Sequence, residues 1–237
     1  MSKRRVLVTG ASKGIGRAVV DRLHAEGHEP IGLARTAPLG SPCEFHEVDL
    51  SDRVATAATL DKIVTEGTID AVVNNVGFVR TGRIGSIDLD DLVSTYDMNV
   101  RTAVQVVQAV LPGMIDAGWG RIVNVSSLTA LGTPDRTPYA AAKSALEGCT
   151  RIWAGELASN GITVNAVAPG PIDTELFRER SPVGSEGEAR YLKGIPLNRV
   201  GAPAEIAHVI AMLLHEDAGY VTGQIVRVDG GGSIPAA

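Results

Sequence analysis

Cysteine is scarce: Cys43 and Cys149 are the only two in 237 residues, far apart and without a CxxC spacing, so neither a disulfide framework nor a zinc site is expected. They read as free, buried thiols of a reducing compartment. Long apolar runs are also missing. After the basic cluster Lys3, Arg4, Arg5, only Val6, Leu7 and Val8 precede polar Thr9, far short of a signal core or a membrane span. A cytoplasmic protein with no membrane partner is expected. That cluster is the densest basic run in a chain of net charge -5, so the electrostatic footprint of a nucleic-acid binder is lacking, and the cluster reads as a solvated end. Ligand spacings for a metal are lacking as well: His24 and His28 stand four apart, but Gly27 interrupts them, and His46, His208 and His215 add no pattern. Repeats, low-complexity tracts and linkers do not occur, and 44% hydrophobic content suits one domain over residues 1–237 with a substantial core.

What the chain does have is alternation. Short β-branched runs at 5–9, 30–34, 44–48, 71–75, 121–126, 163–168 and 225–228 are separated by segments of helical period at 15–26, 53–66, 89–116, 138–159 and 203–215. Ser51, Asp88 and Ala202 are the expected helix starts, and Gly27, Gly67 and Gly161 the stops. Runs as apolar as AVVNN need cover on both faces. The fold class predicted is therefore α/β, a doubly wound parallel sheet of about seven strands with helices on both sides. The glycine- and proline-rich stretch 174–202 shows little helical pattern and reads as a mobile surface excursion serving as a substrate-binding lid.

Two clusters carry chemistry. In VTGASKGIG, Gly10, Gly14 and Gly16 fall at the turn from the first strand into the first helix, where free N–H groups and the helix dipole favour a phosphate. The spacing is neither GxGxxG nor a P-loop, and close helix–strand packing alone would also account for such glycines. Farther on, Tyr139 and Lys143 stand at i and i+4 on one helix face, so their heads converge. A nearby ammonium favours phenolate, which suits Tyr139 to proton exchange near neutral pH. Ser126 and Ser127 close the preceding strand at the edge where open α/β sheets bind ligands.

In order along the chain, TGASKGIG (9–16), NNVG (74–77), DMNV (97–100), the Ser…Tyr…Lys group, PGPIDTE (169–175) and YVTGQIVRVDGG (220–231) resemble the signatures of the short-chain dehydrogenase/reductase family over essentially the whole sequence. The resemblance implies a Rossmann-type fold, hydride transfer between a nicotinamide and a carbonyl or alcohol carbon, and a catalytic tetrad of Asn99, Ser127, Tyr139 and Lys143. In that pattern the serine holds the substrate oxygen and the tyrosine exchanges a proton with it. Lys143 lowers the tyrosine pKa and bridges the nicotinamide ribose, and Asn99 holds a proton-relaying water. Spacing to the tyrosine selects Ser126 as the serine, whereas strand register selects Ser127, and Ser127 is preferred because neighbours on a strand point to opposite faces. Val76 replaces the family's alanine, adding bulk beside the expected ribose.

The same resemblance assigns cofactor contacts to Gly10, Ser12, Lys13, Gly14, Ile15 and Gly16, to Arg35, Asp49 and Leu50 around the adenosine, and to Asn75, Val76 and Gly77. Pro169, Gly170, Ile172 and Thr174, with Tyr139 and Lys143, take the nicotinamide side. Ala34 stands where an NAD-preferring relative would carry an acidic residue, while Arg35 and Lys13 offer two cations to a 2′-phosphate, so NADP(H) is the expected cofactor. Within the family the chain looks most like the 3-oxoacyl-acyl-carrier-protein reductases of fatty-acid synthesis. The expected partners are thus an acyl-thioester or other small-molecule substrate and an acyl carrier protein, although Gly118 and Asn160 lack the basic side chains that carrier docking favours. A small ketone or secondary alcohol, or a non-catalytic NADP-binding sensor, remain the alternatives. Apolar and small residues of the two longest helices, Ala103, Val106, Val107, Val110, Ala145, Leu146 and Ile152, suggest a homotetramer.

Overall fold

A computed structural model describes residues 2–234. The chain begins with β1 (Arg5–Thr9), α1 (Gly14–Ala25), β2 (Glu29–Ala34), β3 (Glu44–Glu47), α2 (Arg53–Glu66) and β4 (Ala71–Asn74). It continues through α3 (Leu89–Tyr96), α4 (Thr102–Ala117), β5 (Gly120–Val125), α5 (Thr137–Leu157) and β6 (Ile162–Pro169). Two short helices, α6 (Glu175–Arg178) and α7 (Glu186–Leu192), then α8 (Pro203–Leu214) and β7 (Ile225–Val228), complete it.

All strand pairings are parallel, and the seven-stranded order is β3-β2-β1-β4-β5-β6-β7. Strand alternation explains the two cores. Val6 and Val8 of β1 face α1 and α8, packing with Val19, Leu23, Ile206 and Ile210, while Leu7 faces the other way toward Ile63, Val106, Val110 and Met114. Burying each such side chain stabilises the fold by about 1.5–3 kcal/mol, which is why a strand as apolar as β1 demands helices on both sides. The order reverses between β1 and β4, and a crevice opens there at the carboxyl ends of the strands.

Several expectations are corrected in detail. The helix expected over 89–116 is interrupted by a π-helical turn, Asp97–Arg101. Asn99 donates from Nδ2 both to Thr95 O (2.8 Å) and to Phe78 O (2.8 Å), drawing the ladder out of α register. Asp52, not Ser51, caps α2 by accepting from the N–H groups of Val54 and Ala55. The 174–202 stretch contains α6 and α7, capped by the hydroxyls of Thr174 and Ser185. Cys43 and Cys149 are free but only half-buried. The N-terminal basic cluster is not simply solvated: Arg4 pairs with Asp70 and lies over Trp119, 3.9 Å from the ring centre. Of the residues read as a subunit interface, Ala103, Val106, Val107, Val110 and Leu146 are spent on the chain's own core, leaving Ala145 half-buried and Ile152 exposed together with Leu89, Val93 and Tyr96. Among the described residues no helix is long and apolar enough to cross a membrane.

Candidate active site

The glycine turn is built by close approach. Gly10 and Gly14 have φ of +66° and +56°, in the left-handed region that favours glycine. At Gly16 a Cβ would collide with the Gly10 carbonyl oxygen and stand 2.6 Å from Asn75 Nδ2. Asn75 ties this turn to the end of β4, its Nδ2 donating to Thr9 O (2.9 Å) and Gly10 O (3.2 Å), while Thr9 Oγ1 accepts from the N–H groups of Asn75 and Val76, both at 3.0 Å. Lys13 occupies the N-cap of α1 without a side-chain capping bond. The first N–H groups of this helix therefore point, with the positive end of its dipole, toward whatever the crevice binds.

The crevice is a single cleft of about 1130 Å³ that runs from Arg35, Asp49 and Leu50, past the glycine turn and Asn75–Gly77, to Ser127, Tyr139 and Lys143. Gly10, Ser12, Lys13, Gly14, Ile15, Pro169, Gly170, Ile172 and Thr174 also line it. Gly16 and Asn99 are the expected site residues that do not. Gly16 lies behind the turn, and Asn99, 2% exposed, sits beneath Gly77. A Cβ on Gly77 would stand 3.6 Å from Asn99 Oδ1 and 3.8 Å from Lys143 Nζ, so the three converge. The Asn99 side chain is committed to main-chain groups, its Nδ2 donating to Thr95 O and Phe78 O and its Oδ1 accepting from Phe78 N.

At the inner end the two serines make different bonds. Ser126 is buried and donates to Glu147 Oε1 at 2.9 Å, whereas the Ser127 hydroxyl accepts from Thr129 N at 3.1 Å and lines the cleft together with Tyr139. Lys143 extends along α5 and donates from Nζ to Val125 O at 2.7 Å, standing 5.7 Å from the centre of the Tyr139 ring. Burial lowers its pKa to about 8. The expectation that Lys143 would depress the phenol is not met. Burial raises the Tyr139 pKa above its ordinary 10, opposed by the Ser127 hydrogen bond and by the charges of Arg136 and Arg180.

Residues that sequence reasoning missed lie mostly beyond Tyr139: Phe78, Arg136, Phe177, Arg180 and Tyr191. Phe177 and Tyr191 pack with ring centres 5.3 Å apart and Arg178 bridges Asp173 and Glu188, which holds the 174–202 segment together, while Arg136 donates to the Tyr191 hydroxyl and Arg180 to Val79 O, which ties it to the rest of the domain. Elsewhere, ligand atoms of Glu44, His46 and Glu66 fall within 4.8 Å of one another, a grouping that spacing conceals, with His46 Nε2 already 2.6 Å from Glu44 Oε1 as a surface pair.

Over nearly its whole length the chain is similar to known proteins. Residues 10–233 match the family model described as enoyl-(acyl carrier protein) reductase. The chain is 40% identical over 238 residues to the 3-oxoacyl-[acyl-carrier-protein] reductase FabG of Pseudomonas aeruginosa, covering 95% of each, and 37% identical to that of Thermotoga maritima, covering 95% and 96%. Among solved structures, Thermoplasma acidophilum aldohexose dehydrogenase superposes with a TM-score of 0.92 at 33% identity, covering 99% of this chain and 95% of that one. YwfH, an NADPH-dependent reductase involved in bacilysin biosynthesis, superposes with a TM-score of 0.90 at 26% identity, covering 99% and 100%.

Proposed function

Because this chain belongs to the short-chain dehydrogenase/reductase family, we propose that it reduces a carbonyl, with 3-oxoacyl thioesters the favoured class, to a hydroxyl at the expense of NADPH. One observation carries the reading: an uncapped helix end and two cations at one end of a cleft share that cleft with the Ser127–Tyr139 pair at the other.

The residues present fit a dinucleotide phosphate. The backbone of the glycine turn leaves no room for a Cβ at Gly16, and the first turn of α1 offers N–H donors to a pyrophosphate. Lys13 and Arg35 are exposed on the cleft, β2 ends in Ala34 rather than a carboxylate, and among the described residues neither cation has an ion-pair partner, which favours a 2′-phosphate. Asp49 also lines the cleft, its Oδ1 accepting from Ser51 N and Oγ and its carboxylate within reach of the Arg35 charge.

When bound, the reduced nicotinamide supplies a hydride to the carbonyl carbon. Ser127 donates a hydrogen bond to the substrate oxygen, which fixes the carbonyl and stabilises the negative charge that grows there. Tyr139 delivers its proton to that oxygen, and its raised pKa suits it to this direction, because the phenol keeps its proton at neutral pH until an alkoxide takes it. Lys143, fixed by Val125 O, would supply a donor to the ribose. Asn99 holds the π turn and the Phe78 backbone in place. The 174–202 segment closes over the substrate, and exposed Leu89, Val93, Tyr96 and Ile152 support assembly as a homotetramer. Loss of NADPH absorbance with 3-oxoacyl thioesters and ketones tests the proposal. Tight NADPH binding with no carbonyl reduced would make the protein a sensor instead.

A further inference from the structure

The fold leaves an acidic chain with a basic catalytic mouth. Arg136, which precedes α5, and Arg180, which follows α6, both line the cleft, and the charge of each reaches Tyr139. Neither is neutralised. Arg136 Nη2 donates to the Tyr191 hydroxyl at 3.2 Å and Arg180 Nη2 to Val79 O at 3.3 Å, and among the described residues no carboxylate lies within 4.0 Å of either guanidinium.

Other arginines of the chain are held by carboxylates, Arg178 by Asp173 and Glu188, Arg80 by Asp91 and Arg199 by Glu205, whereas Arg190, which also lines the cleft, has no ion-pair partner among the described residues. The carboxylates that line the cleft are placed elsewhere. Asp49 is bonded to Ser51, Asp97 is bonded to Arg101 and Arg53, and Glu175 stands near Gly14. Two guanidinium forks are thus left available beside the phenol, and a fork matches a carboxylate in a bidentate, planar way that a neutral acyl chain cannot use.

The geometry points to a carbonyl substrate that carries a carboxylate, gripped between Arg136 and Arg180 while its carbonyl faces Ser127 and Tyr139. This rests on the carbonyl-reductase reading and narrows it. Arg136 belongs to the body of the domain and Arg180 to the 174–202 segment, so one carboxylate bridging them also draws that segment onto the substrate.

The test pairs oxo acids of increasing chain length with their methyl esters, which keep the carbonyl and the carbon chain but remove the charge. The readout is the acid-to-ester ratio of kcat/KM within each protein, so any change at Tyr139 that affects both substrates alike cancels. The wild type should favour the best acid by about tenfold or more, the scale of a charge-assisted bond in a partly exposed site. Arg136→Gln and Arg180→Gln should each cut that ratio severalfold, mainly through KM, and the double variant should bring it near one. Arg136→Lys, which keeps the charge but not the fork, should fall between. A wild-type ratio near one, unmoved by the substitutions while esters or neutral 3-oxoacyl thioesters are reduced, would overturn the carboxylate assignment and leave the reductase reading intact. Reduction of no acid, ester or thioester would overturn both.

Discussion

Replacing Lys143 with Met should flatten the dependence of stability on pH, by an amount that follows from the burial of one amine. The side chain is 2% exposed, and its Nζ is held by the Val125 carbonyl, a neutral partner. Burial lowers its pKa from the ordinary 10.5 to about 8. In the unfolded chain the amine titrates near 10.5, so between about pH 8 and 10.5 the unfolded state binds a proton that the folded state has shed, and stability rises with pH. Below about pH 8 the cost of burying the ammonium is felt in full. The gap of 10.5 − 8, or about 2.5 units, corresponds to about 3 kcal/mol. Roughly 2 kcal/mol of that should be recovered between about pH 7 and 9.5. Met keeps the apolar stem and drops the charge. Losing the bond to Val125 shifts the variant's curve by a constant, whereas the slope reports the proton. Tyr139 does not intrude over this range, because its pKa is raised above 10. Urea unfolding of both proteins at matched ionic strength would give the difference at each pH, with the wild type gaining about 2 kcal/mol on the variant. Parallel curves would mean that the amine is not desolvated as argued, and a wild type that loses ground with rising pH would mean that the fold favours the ammonium.

Tyr139→Phe keeps the ring but removes the acid: turnover should fall by about 10²–10⁴-fold with NADPH affinity little changed, and a loss within threefold would refute the proton-transfer role. Lys13→Ala with Arg35→Ala should weaken NADPH far more than NADH, each charge-assisted bond being worth roughly 1.5–3 kcal/mol; equal affinities in the wild type, read by fluorescence titration, would refute the 2′-phosphate assignment. Gly16→Ala places a methyl against Gly10 O and Asn75 Nδ2, so it should lower stability by about 1–3 kcal/mol and cost cofactor affinity, and a variant that melts and binds like the wild type would show that the turn is looser than described.

Strand positions were legible because a parallel sheet covered on both faces forces continuous apolar runs, and β1 and β7 have the bounds that the runs suggested. Periodicity could not reveal the π turn at Asp97–Arg101, since one widened turn barely alters an apolar stripe, and the cause is a side-chain bond to Phe78, remote in sequence. The glycine turn could be located from spacing, but the role of Asn75 in closing it depends on the adjacency of β1 and β4. The choice between Ser126 and Ser127 followed from strand alternation, and the structure adds Glu147 as the partner that occupies Ser126. Spacing placed Lys143 beside Tyr139 correctly and misjudged the consequence, because i,i+4 proximity says nothing about burial, and burial is what moves both pKa values. Arg136 and Arg180 are 44 positions apart, and only the path of the 174–202 segment brings both to the phenol.

Burial also bears on the direction of the chemistry. In water a phenol and an alkyl amine titrate within about half a unit of each other, near 10 and 10.4, so neither is the clear owner of a shared proton. Desolvation penalises the charged form of each, and for an acid and a base that acts in opposite senses: the phenol is pushed up and the amine down to about 8. The proton is therefore held more firmly by Tyr139 than by Lys143, and a site so arranged starts as a proton donor. The proposed reduction would draw on that state directly, because a developing alkoxide is a far stronger base than the phenolate left behind. Oxidation must first create the phenolate, against the desolvation that raised its pKa, so it is favoured only as pH climbs. The Ser127 hydrogen bond and the charges of Arg136 and Arg180 temper this bias without reversing it, since the net shift at Tyr139 remains upward. A carboxylate seated on the two arginines, as proposed, would cancel part of their opposing charge and strengthen the bias further, and would thereby favour a protonated Tyr139 in the proposed reduction.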